Sequence, residues 1–122
     1  MPSKDQGHRA IEDVRFNGLL LEAVGNTFDR FVGRKARNLI YVFLKAVVSL
    51  KKENISRDLA AFDTSLKKIF GFGALAVEKG IVKELYSKIG LKDSVDDNFM
   101  NPVKKAKTYF ALCKKEEASN GS

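Results

Sequence analysis

Apolar residues recur at intervals of three and four along most of the chain, which is the spacing of helices that bury one face. The first segment runs from Ile11 to Phe31, and Gly33 follows it as a stop signal. The second segment, 34–50, carries the widest apolar stripe, which predicts contacts with two neighbouring helices. Because only Gly33 separates the two segments, the sequence predicts either a tight hairpin or a sharply kinked pair.

A third helix is predicted to begin after the polar stretch that ends the second. Ser56 has the chemistry of an N-cap, and Asp58 falls in the first turn, where the helix dipole favours a carboxylate. Gly71 follows the last apolar position of this helix and is predicted to end it. Phe72 is then expected to supply the apolar contact of a Schellman motif.

Two further helices are predicted towards the C-terminus. The fourth covers 74–89 and ends at Gly90 and Leu91, which repeat the pattern of a glycine followed by an apolar residue. The fifth begins with Asn101 as N-cap and Pro102 as its first residue, and it frays into the sequence KKEEASNGS. Its narrow apolar face comprises Val103, Ala106, Phe110 and either Leu112 or Cys113.

These elements predict an all-α fold, a compact bundle of about five helices in which the first four form the core. The single helical domain is expected to span 11–117, between a disordered N-terminal tail at 1–10 and a flexible tail or cloning scar at 118–122. A chain of 122 residues buries enough surface to fold without a disulfide or a metal. The residues at the middle of the stripes, which we expect to be largely buried, are Phe43, Leu44, Ile69, Ile81 and Leu85.

The segment from Gly71 to Ala76 reads G-x-G-x-x-A, a form of the dinucleotide-binding fingerprint. That fingerprint requires a strand before the first glycine and a helix whose free N–H groups point at the pyrophosphate. Here the preceding residues have helical spacing, and the chain shows no βαβ pattern. We therefore interpret the two glycines as a bend between consecutive helices, and we expect no nucleotide cofactor.

The residues needed for catalysis are poorly represented, and we expect no enzymatic activity. His8 is the only histidine and lies in the predicted tail, so a Ser-His-Asp or Cys-His arrangement is not expected. Asp93, Asp96 and Asp97 do not have the spacing of a calcium loop, and Cys113 is interpreted as a small apolar core residue. We therefore predict no catalytic residue, no cofactor and no metal site.

The formal net charge of +7 permits binding to nucleic acid or to an acidic partner. Basic residues cluster at the start of the second helix and along the fifth, where Lys114 and Lys115 continue the series. Solvated helix faces are the favoured explanation of these clusters, and a binding surface is the alternative. The candidate nucleic-acid contacts are Arg30, Arg34, Lys35, Arg37, Lys104, Lys105 and Lys107.

The stripe of the second helix is broader than a hairpin partner needs, and Leu19 and Leu21 fall off the main face of the first helix. A two-fold dimer would cover this excess apolar surface, whereas the positive charge of the chain opposes it. The sequence leaves a homodimer and a monomer open.

No apolar run reaches the length of a membrane span, and the first residues lack the apolar core of a secretory signal. A single cysteine also excludes an intrachain disulfide, which is typical of a reducing compartment. We therefore expect a cytoplasmic protein with no membrane partner.

Four segments occur in the order LLLEA, ARNLIYVFL, LKKIFGFGA and VEKGIVKELYSKIGL between Leu19 and Leu91. In this order the chain resembles a small archaeal family, the Nitrosopumilus output domain class of signalling proteins. The resemblance implies an archaeal origin and a compact helical output or interaction module, with no enzymatic activity and no established ligand. The chain departs from a multidomain signalling protein because it shows no receiver or sensor segment.

Taken together, the patterns favour a non-catalytic helical interaction module, a signalling output domain with an unknown protein partner. The alternative function is nucleic-acid binding through the basic helix faces.

Overall fold

The computed structural model describes the backbone over 3–92 and 99–121 and the side chains over 14–92 and 99–113. This part of the chain contains helices and no strand, which confirms the all-α fold. Four helices are present instead of about five, because the predicted first and second helices form one element interrupted at Gly33. The elements are α1 Ser3–Val47, a 3-10 turn at Lys52–Arg57, α2 Leu59–Phe70, a 3-10 turn at Gly71–Gly73, α3 Ala74–Ile89 and α4 Met100–Gly121.

Gly33 divides α1 into a first arm, residues 3–32, and a second arm, residues 34–47. Its φ of 88° and ψ of 166° lie outside the helical region. The rings of Phe28 and Tyr41 lie 5.9 Å apart between centroids, although thirteen helical residues would separate them by about 20 Å along an axis. The second arm therefore folds back against the first, as in the tight hairpin that the sequence predicts.

The backbone conformation of Gly33 predicts that adding a single methyl group there will lower the stability of the protein. Its φ and ψ belong to a region that only glycine occupies readily, so Gly33→Ala should lower the free energy of unfolding by about 1–3 kcal/mol. Gly18→Ala is the matched control, since Gly18 lies in the first arm and a Cβ there would have open space around it. That variant should stabilise the protein by up to about 1 kcal/mol. Urea denaturation of both variants checks the prediction, and an unchanged midpoint for Gly33→Ala would contradict it.

The ends of α1 differ from the sequence prediction. The helix begins at Ser3, before the predicted start at Ile11, and Gly7 is the only weak helix former in this stretch. At the other end the helix stops at Val47, and the backbone N–H of Leu50 donates to the Leu44 carbonyl at 2.9 Å. This hydrogen bond closes the last turn and directs the chain into the core at Leu50.

Ser56 does not cap α2, and that prediction was wrong. Ile55 is fully buried, and it fixes Ser56 inside the 3-10 turn. Asp58 has the non-helical conformation that a cap requires, and its carboxylate accepts a hydrogen bond from the Ala61 N–H at 3.2 Å.

The two predicted glycine stops behave differently. Gly71 ends α2 with a φ of 58°, but Phe72 is fully exposed, so the predicted apolar contact is absent. The chain passes from this turn directly into α3, which directs the Phe72 ring outwards. At the end of α3, the Leu91 N–H donates to the Tyr86 carbonyl at 2.9 Å, and Leu91 packs against the core as a Schellman motif requires.

The core lies between both arms of α1, α2 and α3, and α4 closes one end. The first arm and α3 run antiparallel, since Glu22 pairs with Lys88 while Asn26 bonds to Glu84. Phe28 lies at the centre, where its ring contacts those of Tyr41, Phe62 and Phe70. Of the residues predicted to be largely buried, Leu44, Ile81 and Leu85 are buried, and Phe43 and Ile69 are only half-buried.

Helix α4 begins at Met100, so Asn101 and Pro102 lie inside its first turn rather than at the predicted cap positions. The buried Tyr86 hydroxyl donates to the Pro102 carbonyl at 2.9 Å, which ties this turn to α3. The predicted narrow face is present, with Val103 and Ala106 buried. The backbone stays helical through Gly121, beyond the predicted fraying.

Candidate functional site

The second arm of α1 exposes an apolar face. Its inner side is buried through Ile40 and Leu44. Away from that side, Leu39 and Val42 are 68% and 62% exposed, and Ala46 is exposed beside them. Val47, the last residue of the helix, is 67% exposed. We call these four residues the outer face.

The outer face is one continuous surface, because Leu39, Val42 and Ala46 follow each other at steps of three and four, and the half-buried Phe43 lies four residues from both Leu39 and Val47. A helix that is apolar on both sides is typically buried on both sides. This arm is covered on one side only, by the fold itself. The outer face is therefore the candidate docking site of the molecule.

The arm is held rigidly in place. Arg37 pairs with Asp29 of the first arm at 2.9 Å, and Lys52 lies 5.5 Å from the centre of the Tyr41 ring. Burial raises the pKa of Tyr41, and the Asp29 charge raises it further against the opposing effect of Arg37. The hydroxyl is thus neutral at physiological pH. The contacts of Arg37 and Tyr41 hold the second arm, and with it the outer face, against the rest of the fold.

The first group of predicted nucleic-acid contacts lies around the bend of α1. Arg30 approaches Glu84 of α3 at 3.5 Å, and Arg37 is half-buried in its pair with Asp29. Arg34 and Lys35 are exposed. Two of these four side chains therefore hold the fold together, and two are accessible to a partner.

The second group lies beside the middle of the first arm, near Phe16. Lys104 and Lys105 are exposed, and Lys107 is half-buried. Lys104 and Lys107 line a cleft of about 310 Å³ together with Phe16 and Arg57, a basic residue that the sequence analysis did not select. Phe16 and Arg30 are fourteen residues apart on one helix arm, or about 21 Å. The structure does not bring the two groups together.

A pair of carboxyl groups joins α2 to α3, and sequence reasoning missed it. Glu78 is buried and forms a side-chain hydrogen bond with Asp63. Burial first, then this hydrogen bond and the charge of Asp63, raise the pKa of Glu78 to about 8. The hydrogen bond from Glu78 lowers the pKa of Asp63. The Lys67 ammonium, 3.1 Å from Asp63 Oδ2, lowers it further. The sequence contains a signal of the burial of Glu78. Glu78 lies four residues after Ala74 and three before Ile81, so it occupies a position on the apolar stripe of its helix.

With the pKa of Glu78 raised to about 8 and that of Asp63 lowered, the pair is expected to hold one proton near neutral pH. Asp63 Oδ1 and Glu78 Oε2 are both buried and receive no hydrogen bond from any other described residue, so a shared proton satisfies both atoms. The pair borders an open cleft of about 580 Å³ whose walls include Phe72, Leu75 and Phe99. Because the inner oxygens are closed to solvent, we assign the pair a structural role between α2 and α3.

Several sequence predictions fall on residues beyond the described part. His8 and the lysines Lys114 and Lys115 lie in helices whose side chains are not described there, and the acidic connector with Asp93, Asp96 and Asp97 lies wholly outside the described residues. Cys113 is half-buried. Among the described side chains, no cluster of three or more His, Cys, Asp or Glu residues has the arrangement of a metal site. No helix in the described ranges is both long enough and apolar enough to cross a membrane.

Comparison of this chain with protein-family models, with curated proteins and with solved structures finds no match. The resemblance to the archaeal output domains therefore rests on the four sequence segments alone.

Proposed function

We propose that this chain is a non-catalytic helical interaction module that binds a protein partner through the outer face. The observation that carries the proposal is the exposure of Leu39 and Val42 on the side of the second arm that faces away from the core, extended by the exposed Val47 at the end of the arm. The sequence resemblance extends the proposal to the role of a signalling output domain.

The energetics of the outer face support a docking role. Full burial of a Val or Leu side chain is worth about 1.5–3 kcal/mol, so covering three of them supplies much of the free energy of a specific complex. The arm is already ordered by the burial of Ile40 and Leu44. Binding therefore orders little of this chain, which preserves affinity.

The proposal is tested by site-specific photo-crosslinking in an extract of the cells from which the sequence comes. A benzophenone amino acid at position 42 should form a covalent adduct with another polypeptide. The same group in place of Lys83, an exposed residue of α3, is the matched control and should form none. Excess wild-type chain should compete the adduct away, whereas excess Val42→Asp should not. Adducts of equal yield at both positions, or none at 42, would refute the docking role.

A further inference from the structure

The charges around the outer face all have one sign. Between Asp29 and Glu53 the chain carries no acidic residue. The basic residues in this stretch are Arg30, Arg34, Lys35, Arg37, Lys45, Lys51 and Lys52.

Four of these side chains are exposed and remain available to a partner. Arg34, Lys35, Lys45 and Lys51 have no carboxylate partner within the described part of the chain. They differ in this from Arg30 and Arg37, which form ion pairs with Glu84 and Asp29.

The positions of these charges follow from the helical repeat. Lys35 precedes Leu39 by four residues, so it lies at the start of the outer face. Arg34, Asn38 and Lys45 are separated by four and seven residues and therefore form a polar border along one edge. The outer face is thus an apolar stripe with a basic border.

We infer that the partner segment is an amphipathic helix with an apolar stripe and acidic residues along its edge. The inference rests on the proposed function, because it names the chemistry of the partner for the same surface. The apolar stripe covers Leu39, Val42 and Val47, and the carboxylates pair with Lys35 and Lys45. Ala46 is small and leaves room at the centre of the face for a side chain of the partner helix.

Charge favours this partner over a second copy of the chain. Because the stretch between Asp29 and Glu53 carries no acidic residue, a two-fold pairing of outer faces would set basic side chains of one copy against basic side chains of the other, which repel. The extent of the face also favours a helix over a lipid surface. Leu39 to Val47 span about 12 Å along the axis, which matches two to three turns of a crossing helix.

The inference is tested with two labelled helical peptides of about 18 residues, both with Leu at the stripe positions. One carries Glu along the edges and the other carries Lys. Fluorescence anisotropy against the full chain should show saturable binding of the Glu peptide, weakened by salt, and binding about tenfold weaker for the Lys peptide. Lys45→Glu should reduce the preference for the Glu peptide. Lys83→Glu changes the net charge equally on α3 and should leave the preference intact.

Three results would overturn the inference. One is equal binding of the two peptides, or no binding of either. Another is self-association in analytical ultracentrifugation that Val42→Asp abolishes. The third is capture by phosphatidylcholine–phosphatidylserine vesicles that the same substitution abolishes, with circular dichroism confirming that the variant is folded. If the peptides fail while the photo-crosslink at position 42 to another protein succeeds, the acidic helix is wrong and the interaction module stands.

Discussion

Leu44→Ala should lower the free energy of unfolding by about 2–5 kcal/mol, the range for removing a fully buried leucine side chain. Leu44 is completely buried on the inner side of the second arm. Its removal leaves a cavity where this arm packs against the first. The hydrogen bonds that close the last turn of α1 are accepted by the backbone carbonyl of Leu44, not by its side chain. The substitution therefore keeps that turn, and the loss of stability measures the loss of packing.

Leu39→Ala is the matched control, since it removes the same atoms from the same arm on its opposite side. Leu39 is 68% exposed, so the substitution should change stability by no more than about 0.5 kcal/mol. Urea denaturation of the two variants measures the difference directly. Equal losses would mean that the second arm is covered on both sides in solution, as it would be in a stable dimer, and a small loss for Leu44→Ala would mean that its inner side is wrongly assigned.

The sequence predicted the helices well where the apolar spacing and a glycine stop agreed. The bounds of α3 match the predicted 74–89. The chain reverses at Gly33, the residue that the sequence predicted to separate the first two helical segments. The cap of α2 was misplaced because Ser56 and Asp58 both have capping side chains. Only the burial of Ile55, a tertiary contact, decides between them.

The breadth of the apolar stripe was visible in the sequence, but its exposed side was not. Periodicity shows that a helix has two apolar sides and cannot show which side the hairpin covers. The fold buries Ile40 and Leu44 and leaves Leu39 and Val42 outside. Leu19 and Leu21 are half-buried and pack against the core, so these two residues do not supply the excess apolar surface.

The carboxyl pair shows a different limit of sequence reasoning. Glu78 occupies an apolar stripe position, but a single glutamate there is equally compatible with a solvated edge of the helix. Its partner Asp63 lies fifteen residues away on another helix, and only the packing of α2 on α3 brings the two together. The consequence is a dependence of stability on pH that the composition does not indicate.

The stability of the protein should fall as the pH rises from about 4.5 to about 8 through the titration of Glu78. The pKa of Glu78 is raised in the folded state, so over this range the folded protein retains a proton that the unfolded chain has lost. The stabilisation is complete below the pKa of an ordinary glutamate and is lost once Glu78 ionises beside Asp63. For one group, the slope has an upper limit of about 1.4 kcal/mol per pH unit. The pKa of Asp63 is lowered, so its own contribution is lost only in acid, below its usual range.

Glu78→Gln should remove this pH dependence, because the amide stays neutral and can donate a hydrogen bond to Asp63. The variant should match the wild type near about pH 4 and be the more stable of the two near about pH 9, in denaturation curves recorded across the range. Glu53→Gln, which alters an exposed carboxylate away from the pair, should follow the wild-type profile. Asp63→Asn should bring the pKa of Glu78 closer to its ordinary value, because it removes the charge that opposes ionisation while Glu78 stays buried. The fall of stability with pH should therefore end at a lower pH than in the wild type. Parallel profiles for the wild type and Glu78→Gln would show that Glu78 ionises freely in the folded protein and that no proton is shared between α2 and α3.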